Sequence, residues 1–303
     1  MNVLVVGYGS IGQRHTRILK EMGYAVSVVS RRAIQSEEAY GSLTQAFGVK
    51  KFQYIVIATE TSDHLRSLKE LKENNFDGLI LIEKPLFSKS ENIVVNKEKV
   101  FVAYNLRFHP LIIKSMELIK NDKVISVNAY VGQYLPSWRP DTDYKKSYSA
   151  FNNKGGGVLR DLSHELDYLT FLFGEWGNIA AVTGKISELD IHSEDYAHFF
   201  YKSIKDIYIS VELNYIDRIH QRYIIIHTDS QTLKLDFIKN SINCNGSVSI
   251  LDKIDSDYTY REQHKAVLSN SERSCSYEEG LKIVKMIESI EKSALNKEWI
   301  YHE

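Results

Sequence analysis

The sequence predicts an α/β protein. An N-terminal, doubly wound parallel sheet is followed by an α+β domain with a largely antiparallel open sheet. Three observations predict this. Over the first hundred residues, short β-branched runs alternate with helical segments. The first run leads directly into a glycine-rich turn, "GYGSIG" (7–12). After about residue 105, strand-like runs follow one another closely and only two strong helical patterns interrupt them.

The elements read in order. "VLVV" (3–6) is a buried strand, and Ile11, His15, Ile18, Leu19 and Met22 then recur at helical spacing, with Gly23 where a helix would stop. "AVSVVS" (25–30) and "YIVIAT" (54–59) are the next strands, and "SDHLRSLKELKENN" (62–75) opens on a Ser N-cap and reads as a helix. "LILIE" (79–83) and "KVFVAY" (99–104) complete the first set. Beyond it, "VISVNAYVGQYL", "IAAVTGKISEL", "YAHFFYKS", "IYISVELNYI", "RYIIIHTD" and "TLKLDFI" are strand-like, while 157–173 and 277–292 are helical. The division is therefore 1–105, a dinucleotide-binding domain, and 106–303, a substrate-binding and dimerisation domain. No internal repeat or low-complexity segment is present.

Composition removes several classes. The chain has 303 residues, net charge -1 and 43% hydrophobic residues, enough for a core in each of two domains. Near-neutral charge without basic runs gives no argument for nucleic acid or an anionic membrane. Cys244 and Cys275 lack a zinc or disulfide spacing. The N-terminal apolar run is too short for a signal peptide or membrane span, so a cytoplasmic protein is expected. There is no G-x-S-x-G elbow and no phosphate-binding G-x-x-x-x-G-K-[ST]. His192, Glu194 and His198 lie in strand-like sequence without an H-E-x-x-H, so no metal is expected.

"GYGSIG" fits G-x-G-x-x-G in its confirming context, after a strand and opening a helix. Gly7 permits the tight turn, Gly9 lets backbone approach a pyrophosphate, and Gly12 allows helix and strand to pack closely. Tyr8, Ser10 and Ile11 complete the loop, whose helix start supplies N–H groups and positive dipole. Where an NAD-preferring fold places an acid after the second strand, this chain has Ser30-Arg31-Arg32. A hydroxyl and two guanidiniums suit a 2′-phosphate, which favours NADP(H) over NAD(H).

The ordered set "IATETSDH" (57–64), "EKPL" (83–86), "YNLRFHP" (104–110), "WRP" (138–140) and "GGGVLRDLSHELD" (155–167) resembles the glucose–fructose oxidoreductase / inositol dehydrogenase (Gfo/Idh/MocA) family. The resemblance is strongest over 1–170. It implies a Rossmann domain with an open-sheet partner domain often used for dimerisation. It matches the family's catalytic lysine to Lys84 and its helical Asp and His to Asp161 and His164. It extends the cofactor-binding set to Thr59, Glu60, Thr61, His64, Glu83, Lys84, Trp138 and Arg139. The chain departs from the family in having Glu60 after Ala-Thr where Pro is common, Asp and His three rather than four apart, and a short segment after "EKPL" that implies a trimmed helix.

On a continuous helix from Gly157, Asp161, His164, Glu165 and Tyr168 fall on one face, and Val158, Leu159, Leu162, Leu166, Leu169 and Phe173 on the other. The glycines 155–157 would then let backbone come close to a nicotinamide or sugar. Hydride chemistry belongs to the nicotinamide, and the protein must manage the proton. Lys84 and His164 are the candidate bases, with Asp161 orienting. Asn105, Arg107, Tyr144, Lys145 and Tyr148 are candidate substrate ligands. The reading is an NADP(H)-dependent oxidoreductase of a sugar, nucleotide sugar or sugar acid, similar to family members in bacterial surface-sugar (nonulosonic acid) synthesis. The alternatives are an NAD-dependent glycosidase and a non-catalytic dinucleotide sensor. A homodimer or higher homo-oligomer is expected.

Overall fold

The computed structural model describes residues 1–35, 37–138 and 142–302. The chain divides into two compact units, Met1–Asn105 with Asp255–Val284, and Leu106–Ile254 with Lys285–Glu303. The sequence division assigned everything after 105 to the second domain; the contacts instead return Asp255–Val284 to the first unit. No boundary signal at 255 or 284 is visible along the sequence, because the return depends on which surface the segment's apolar residues cover.

The first unit is built on β1 (Asn2–Val6), α1 (Ser10–Glu21), β2 (Ala25–Val29), β3 (Glu38–Tyr40), α2 (Leu43–Val49), β4 (Tyr54–Ile57), α3 (His64–Glu73), β5 (Leu79–Ile82) and β6 (Val100–Val102). These strands lie parallel in the order β3-β2-β1-β4-β5-β6, the doubly wound arrangement whose order reverses at β1 and β4. β1 and β4 are buried on both faces, which is why they read as unbroken apolar runs. Val3, Val5, Leu19, Val28, Val56, Leu81 and Phe101 form the core. No α-helix joins β5 to β6, only a 3-10 turn at Lys97–Lys99, so the expected trimmed helix is absent. β3 and α2 went unread because three residues of strand and seven of helix carry too little periodicity.

The second unit comprises α4 (Pro110–Leu118), β7 (Val124–Gly132), α5 (Leu135–Trp138), α6 (Val158–Asp161), α7 (His164–Phe173), β8 (Trp176–Gly184), β9 (Tyr196–Ser203), β10 (Tyr208–Asn214), β11 (Gln221–Thr228), β12 (Thr232–Asp236), β13 (Ser241–Cys244) and β14 (Ser247–Ile250). With β16 (Ile300–Tyr301), its nine-stranded sheet runs β14-β13-β12-β11-β7-β10-β9-β8-β16, with only the β7–β10 pair parallel. α8 (Tyr258–Leu268) and β15 (Cys275–Ser276) belong to the first unit, β15 pairing antiparallel with β6. α9 (Tyr277–Asn296) starts in that unit and ends in the second, which also holds β16 (Ile300–Tyr301).

The single helix expected over 157–173 is two. α6 stops at Asp161, and α7 starts at His164. Val158, Leu159, Leu162, Leu166, Leu169 and Phe173 are buried as the apolar stripe requires. The supposed polar face is buried too: Asp161, Glu165 and Tyr168 are 5%, 0% and 0% exposed, leaving only His164 half-exposed. A helical wheel orders angles within one helix and loses its meaning across a break.

Candidate functional site

The glycine turn sits where β1 meets α1. Gly7 has φ +97, and a side chain there would strike Ala58 and Thr59 backbone at 2.5–2.9 Å. A Cβ on Gly12 would strike the Gly7 carbonyl, so these two glycines serve the protein's own packing. Gly9 differs: a Cβ there would meet nothing within 4 Å, and its φ of -76 is ordinary. The space in front of Gly9 is open. α1 begins at that point with no side-chain cap and no acid in its first turn, leaving N–H groups and a positive end for an anion. The buried hydroxyl of Thr59, beside the same turn, has no hydrogen-bond partner among the described residues. These features fit a dinucleotide pyrophosphate.

Ser10 is exposed and Ile11 half-buried at the helix start, and the Tyr8 hydroxyl donates to Glu37 at 3.2 Å. After β2, Ser30 Oγ accepts from the Arg32 amide (3.0 Å). Arg31 is 74% exposed and donates to Asp63 at 3.1 Å. Glu60 is exposed, and Thr61 opens a 3-10 turn leading into α3. Both ring nitrogens of His64 meet backbone carbonyls: Nδ1 those of Pro85 and Leu86 at 3.1 and 3.2 Å, and Nε2 that of Thr59 at 3.2 Å. Burial lowers its pKa. It clamps the Thr59 turn to the loop carrying Lys84.

Lys84 follows β5, half-buried, with a cis peptide to the buried Pro85. Strand ends of this polarity line the ligand crevice of open α/β sheets. The Lys84 amide donates to Glu83 Oε2 at 3.2 Å, and Glu83 Oε1 meets His15 Nε2 at 2.8 Å. Burial pushes the Glu83 carboxyl up, but the His15 bond and the Lys84 charge outweigh it and hold it below its usual value. Asn105 is buried and donates to Thr259 of α8 at 2.8 Å, not to an open edge.

In the second unit, Arg107 is corrected from substrate ligand to core residue. It is 2% exposed and grips Asp167, 1% exposed, through Nε at 3.0 and 3.1 Å and Nη2 at 2.7 Å. Asp161 accepts a 2.6 Å hydrogen bond from the buried Tyr215 hydroxyl. Trp138 packs at 5.9 Å from the Tyr215 ring and shares a small cavity with Tyr144, Ser147 and Ser149. Burial, then Asp161, push the Tyr215 hydroxyl well above its usual pKa; Tyr148 and Glu194 act in the same direction. The Tyr144 hydroxyl accepts from the Asp190 amide at 3.4 Å, and Lys145, half-exposed, pairs with Asp190 at 3.0 Å. Arg139 lies outside the described residues.

Two of the three glycines of "GGGVLRDLSHELD", Gly156 and Gly157, are confined by the protein's own atoms. A Cβ on Gly156 would strike Tyr148 and Ser149 backbone, and one on Gly157, at φ +106, would strike the Glu194 carboxylate. Glu194 accepts from the Leu159 amide at 3.2 Å through Oε1, and its carbonyl accepts from Val158 at 3.1 Å. Burial raises its pKa to about 7. Tyr215 and Glu194 were not read as site residues; Tyr215 sits in an ordinary strand pattern, and Glu194 stood out only in a failed metal spacing. Among the described residues, no group of three or more His, Cys, Asp or Glu is placed to hold a metal, and no helix is long and apolar enough to cross a membrane.

Comparison with known proteins agrees with this geometry. Residues 1–100 match the family model described as the oxidoreductase family, NAD-binding Rossmann fold, and 116–234 match the GFO/IDH/MocA C-terminal domain. No curated protein matches the chain. Among solved structures, the WlbA dehydrogenase from Bordetella pertussis in complex with NADH and UDP-GlcNAcA has TM-score 0.81 at 16% identity, covering 100% of this chain and 98% of that one. Levoglucosan dehydrogenase in complex with NADH and levoglucosan has TM-score 0.84 at 18% identity, covering 100% and 99%. An oxidoreductase from Agrobacterium radiobacter in complex with NAD+, L-tartaric acid and magnesium has TM-score 0.79 at 16% identity, covering 99% and 98%. At such identities the likeness establishes the fold, while the two family matches establish descent. The chain belongs to the Gfo/Idh/MocA family of NAD(P)-dependent oxidoreductases.

Proposed function

We propose that the protein moves hydride between the nicotinamide of NADP(H), with NAD(H) also accepted, and a hydroxyl or ketone carbon of a sugar, nucleotide sugar or sugar acid. The observation that carries this reading is the open, uncapped α1 start at Gly9 in the same unit as the strand-end Lys84. The sugar class is supported by the solved relatives that hold UDP-GlcNAcA and levoglucosan. A role in bacterial surface-sugar synthesis, nonulosonic acids included, rests on the "YNLRFHP" and "GQYLPSWRPDTDYKKSYSA" segments.

When bound, the nicotinamide supplies the hydride acceptor or donor. The chain's task is the proton. Lys84 Nζ takes or returns the proton of the reacting hydroxyl, with a His164 ring nitrogen as the competing candidate. Asp161, already bonded to Tyr215, is a fixed acceptor for a sugar hydroxyl. Ser30, Arg31 and Arg32 favour the 2′-phosphate, while the Arg31–Asp63 pair is the contact that phosphate must share or replace. We also propose a homodimer through the open face of the second unit's sheet.

The test is substrate-dependent absorbance at the reduced-nicotinamide band, screened over nucleotide sugars and sugar acids. Net cofactor conversion is the expected result. Glycoside cleavage without net conversion would make the protein a glycosidase, and binding without either would make it a sensor.

A further inference from the structure

Behind Lys84 lies a buried chain of four side chains, all in the first unit. Glu83 Oε1 meets His15 Nε2 at 2.8 Å, His15 Nδ1 meets His264 Nε2 at 2.9 Å, and His264 Nδ1 meets the Tyr54 hydroxyl at 2.8 Å. His15, His264 and Tyr54 are each 0% exposed. They come from α1, α8 and the first residue of β4, and the chain ends on the residue whose carboxylate holds the Lys84 amide.

Counting protons gives this chain a direction. Burial holds the Tyr54 hydroxyl and the His264 ring neutral, while Glu83 is ionised. With a single proton on each imidazole, three hydrogen bonds are made with three protons, one each from Tyr54, His264 and His15. Only one arrangement makes all of them. Tyr54 donates to His264 Nδ1, His264 Nε2–H donates to His15 Nδ1, and His15 Nε2–H donates to Glu83. Reversing the chain requires either a proton on Glu83 or a second proton on His15. The first removes the anion beside Lys84; the second places a charge on a ring that is 0% exposed.

We propose that Tyr54, His264 and His15 are positioning residues of the oxidoreductase site, a one-way donor chain that fixes Glu83 as the anion holding the Lys84 backbone. The inference rests on the reading of Lys84 as the proton-handling residue. The other groups facing the chain are Tyr260 of α8, edge-on to His15 at 5.5 Å with Arg14 over its ring at 4.3 Å, His64 of α3 and Lys84 near Glu83, and Tyr24 near Tyr54. None of these hydrogen-bonds to His264, so among the described residues its tautomer is set by Tyr54 and His15.

Two measurements test this. In the full-length protein labelled with 15N-histidine, with His15→Gln and His264→Gln used for assignment, His264 should be neutral from pH 6 to 8 and both rings should carry a proton at Nε2. A His264 protonated at Nδ1, or titrating in that range, would overturn the proposal without any reference to activity. Second, Tyr54→Phe removes the terminal donor with little change of shape. The chain can then reverse and Glu83 can take up a proton, so the acid limb of kcat should move to higher pH. A shift of one unit lowers kcat about tenfold below the limb and leaves it unchanged above. Glu83→Gln should remove the added acid sensitivity, and Tyr54→Phe combined with Glu83→Gln should be no worse than Glu83→Gln alone. A superimposable Tyr54→Phe profile, in an enzyme that Lys84→Ala disables, defeats the chain and spares the lysine. A Lys84→Ala enzyme of normal rate defeats the lysine reading, and the tautomer measurement still decides the chain.

Discussion

The Lys84 amide donates a hydrogen bond to the Glu83 carboxylate and is followed by a buried proline, so its backbone is fixed where its side chain is needed. If it moves the proton, Lys84→Ala should lower kcat about 10²–10⁴-fold with dinucleotide binding retained; single-turnover hydride transfer measures this. Arg31→Ala should weaken NADPH roughly ten- to a hundredfold by calorimetric titration and leave NADH nearly unchanged, the scale of one charge-assisted hydrogen bond. Equal losses would end the NADP(H) preference. Glu194 titrates in the opposite sense to a paired carboxylate. Its pKa is raised from 4.5 to about 7, so the fold favours the protonated form. The stability this contributes is present in full below pH 4.5 and is lost as pH rises through 7. That rise corresponds to roughly 3 kcal/mol. The urea midpoint should therefore fall between pH 5 and pH 8, and Glu194→Gln should remove this component of the slope.

At the scale of elements, the glycine turn separates structural from ligand constraints. Gly7 and Gly12 are confined by the protein's own backbone, whereas Gly9 is not. Gly9→Ala should fold with an unchanged melting temperature and bind NAD(P)H at least about tenfold more weakly, roughly 1.4 kcal/mol. Unchanged affinity would mean that the pyrophosphate does not approach there. The G-x-G-x-x-G turn was legible because its glycines keep a fixed short spacing after a strand, even though Gly7 is confined by Ala58 and Thr59. The triple glycine was legible only as an anomaly. Its cause, the Glu194 carboxylate against Gly157, comes from 37 positions further along the chain. α8 went unread, yet it supplies His264 and a partner for Asn105.

On the scale of the whole molecule, one face of the second unit's sheet carries Val182, Phe200, Tyr208, Trp299 and Tyr301, 38–69% exposed. Phe200 stacks on Tyr208 at 6.0 Å and meets Trp299 edge-on at 6.0 Å. An apolar patch of this kind is a docking surface by default. Sedimentation should give a dimer at micromolar concentration, and Phe200→Asp should shift it toward monomer. A monomeric wild-type protein would count decisively against this assembly.

The sequence alone determined the parallel sheet, the mononucleotide turn, the strand-end Lys84 and the apolar stripe around His164. Each is written in short-range spacing: two residues for a strand, 3.6 for a helix, five for the glycine turn. Tertiary structure alone decided the return of Asp255–Val284 to the first unit, the break between α6 and α7, the burial of Arg107 on Asp167 and the chain from Tyr54 to Glu83. In these cases a polar side chain's role is set by the partner that satisfies it once water is removed. Those partners lie 60 to 249 residues away for Arg107 and His15, a separation at which spacing in the sequence carries no signal.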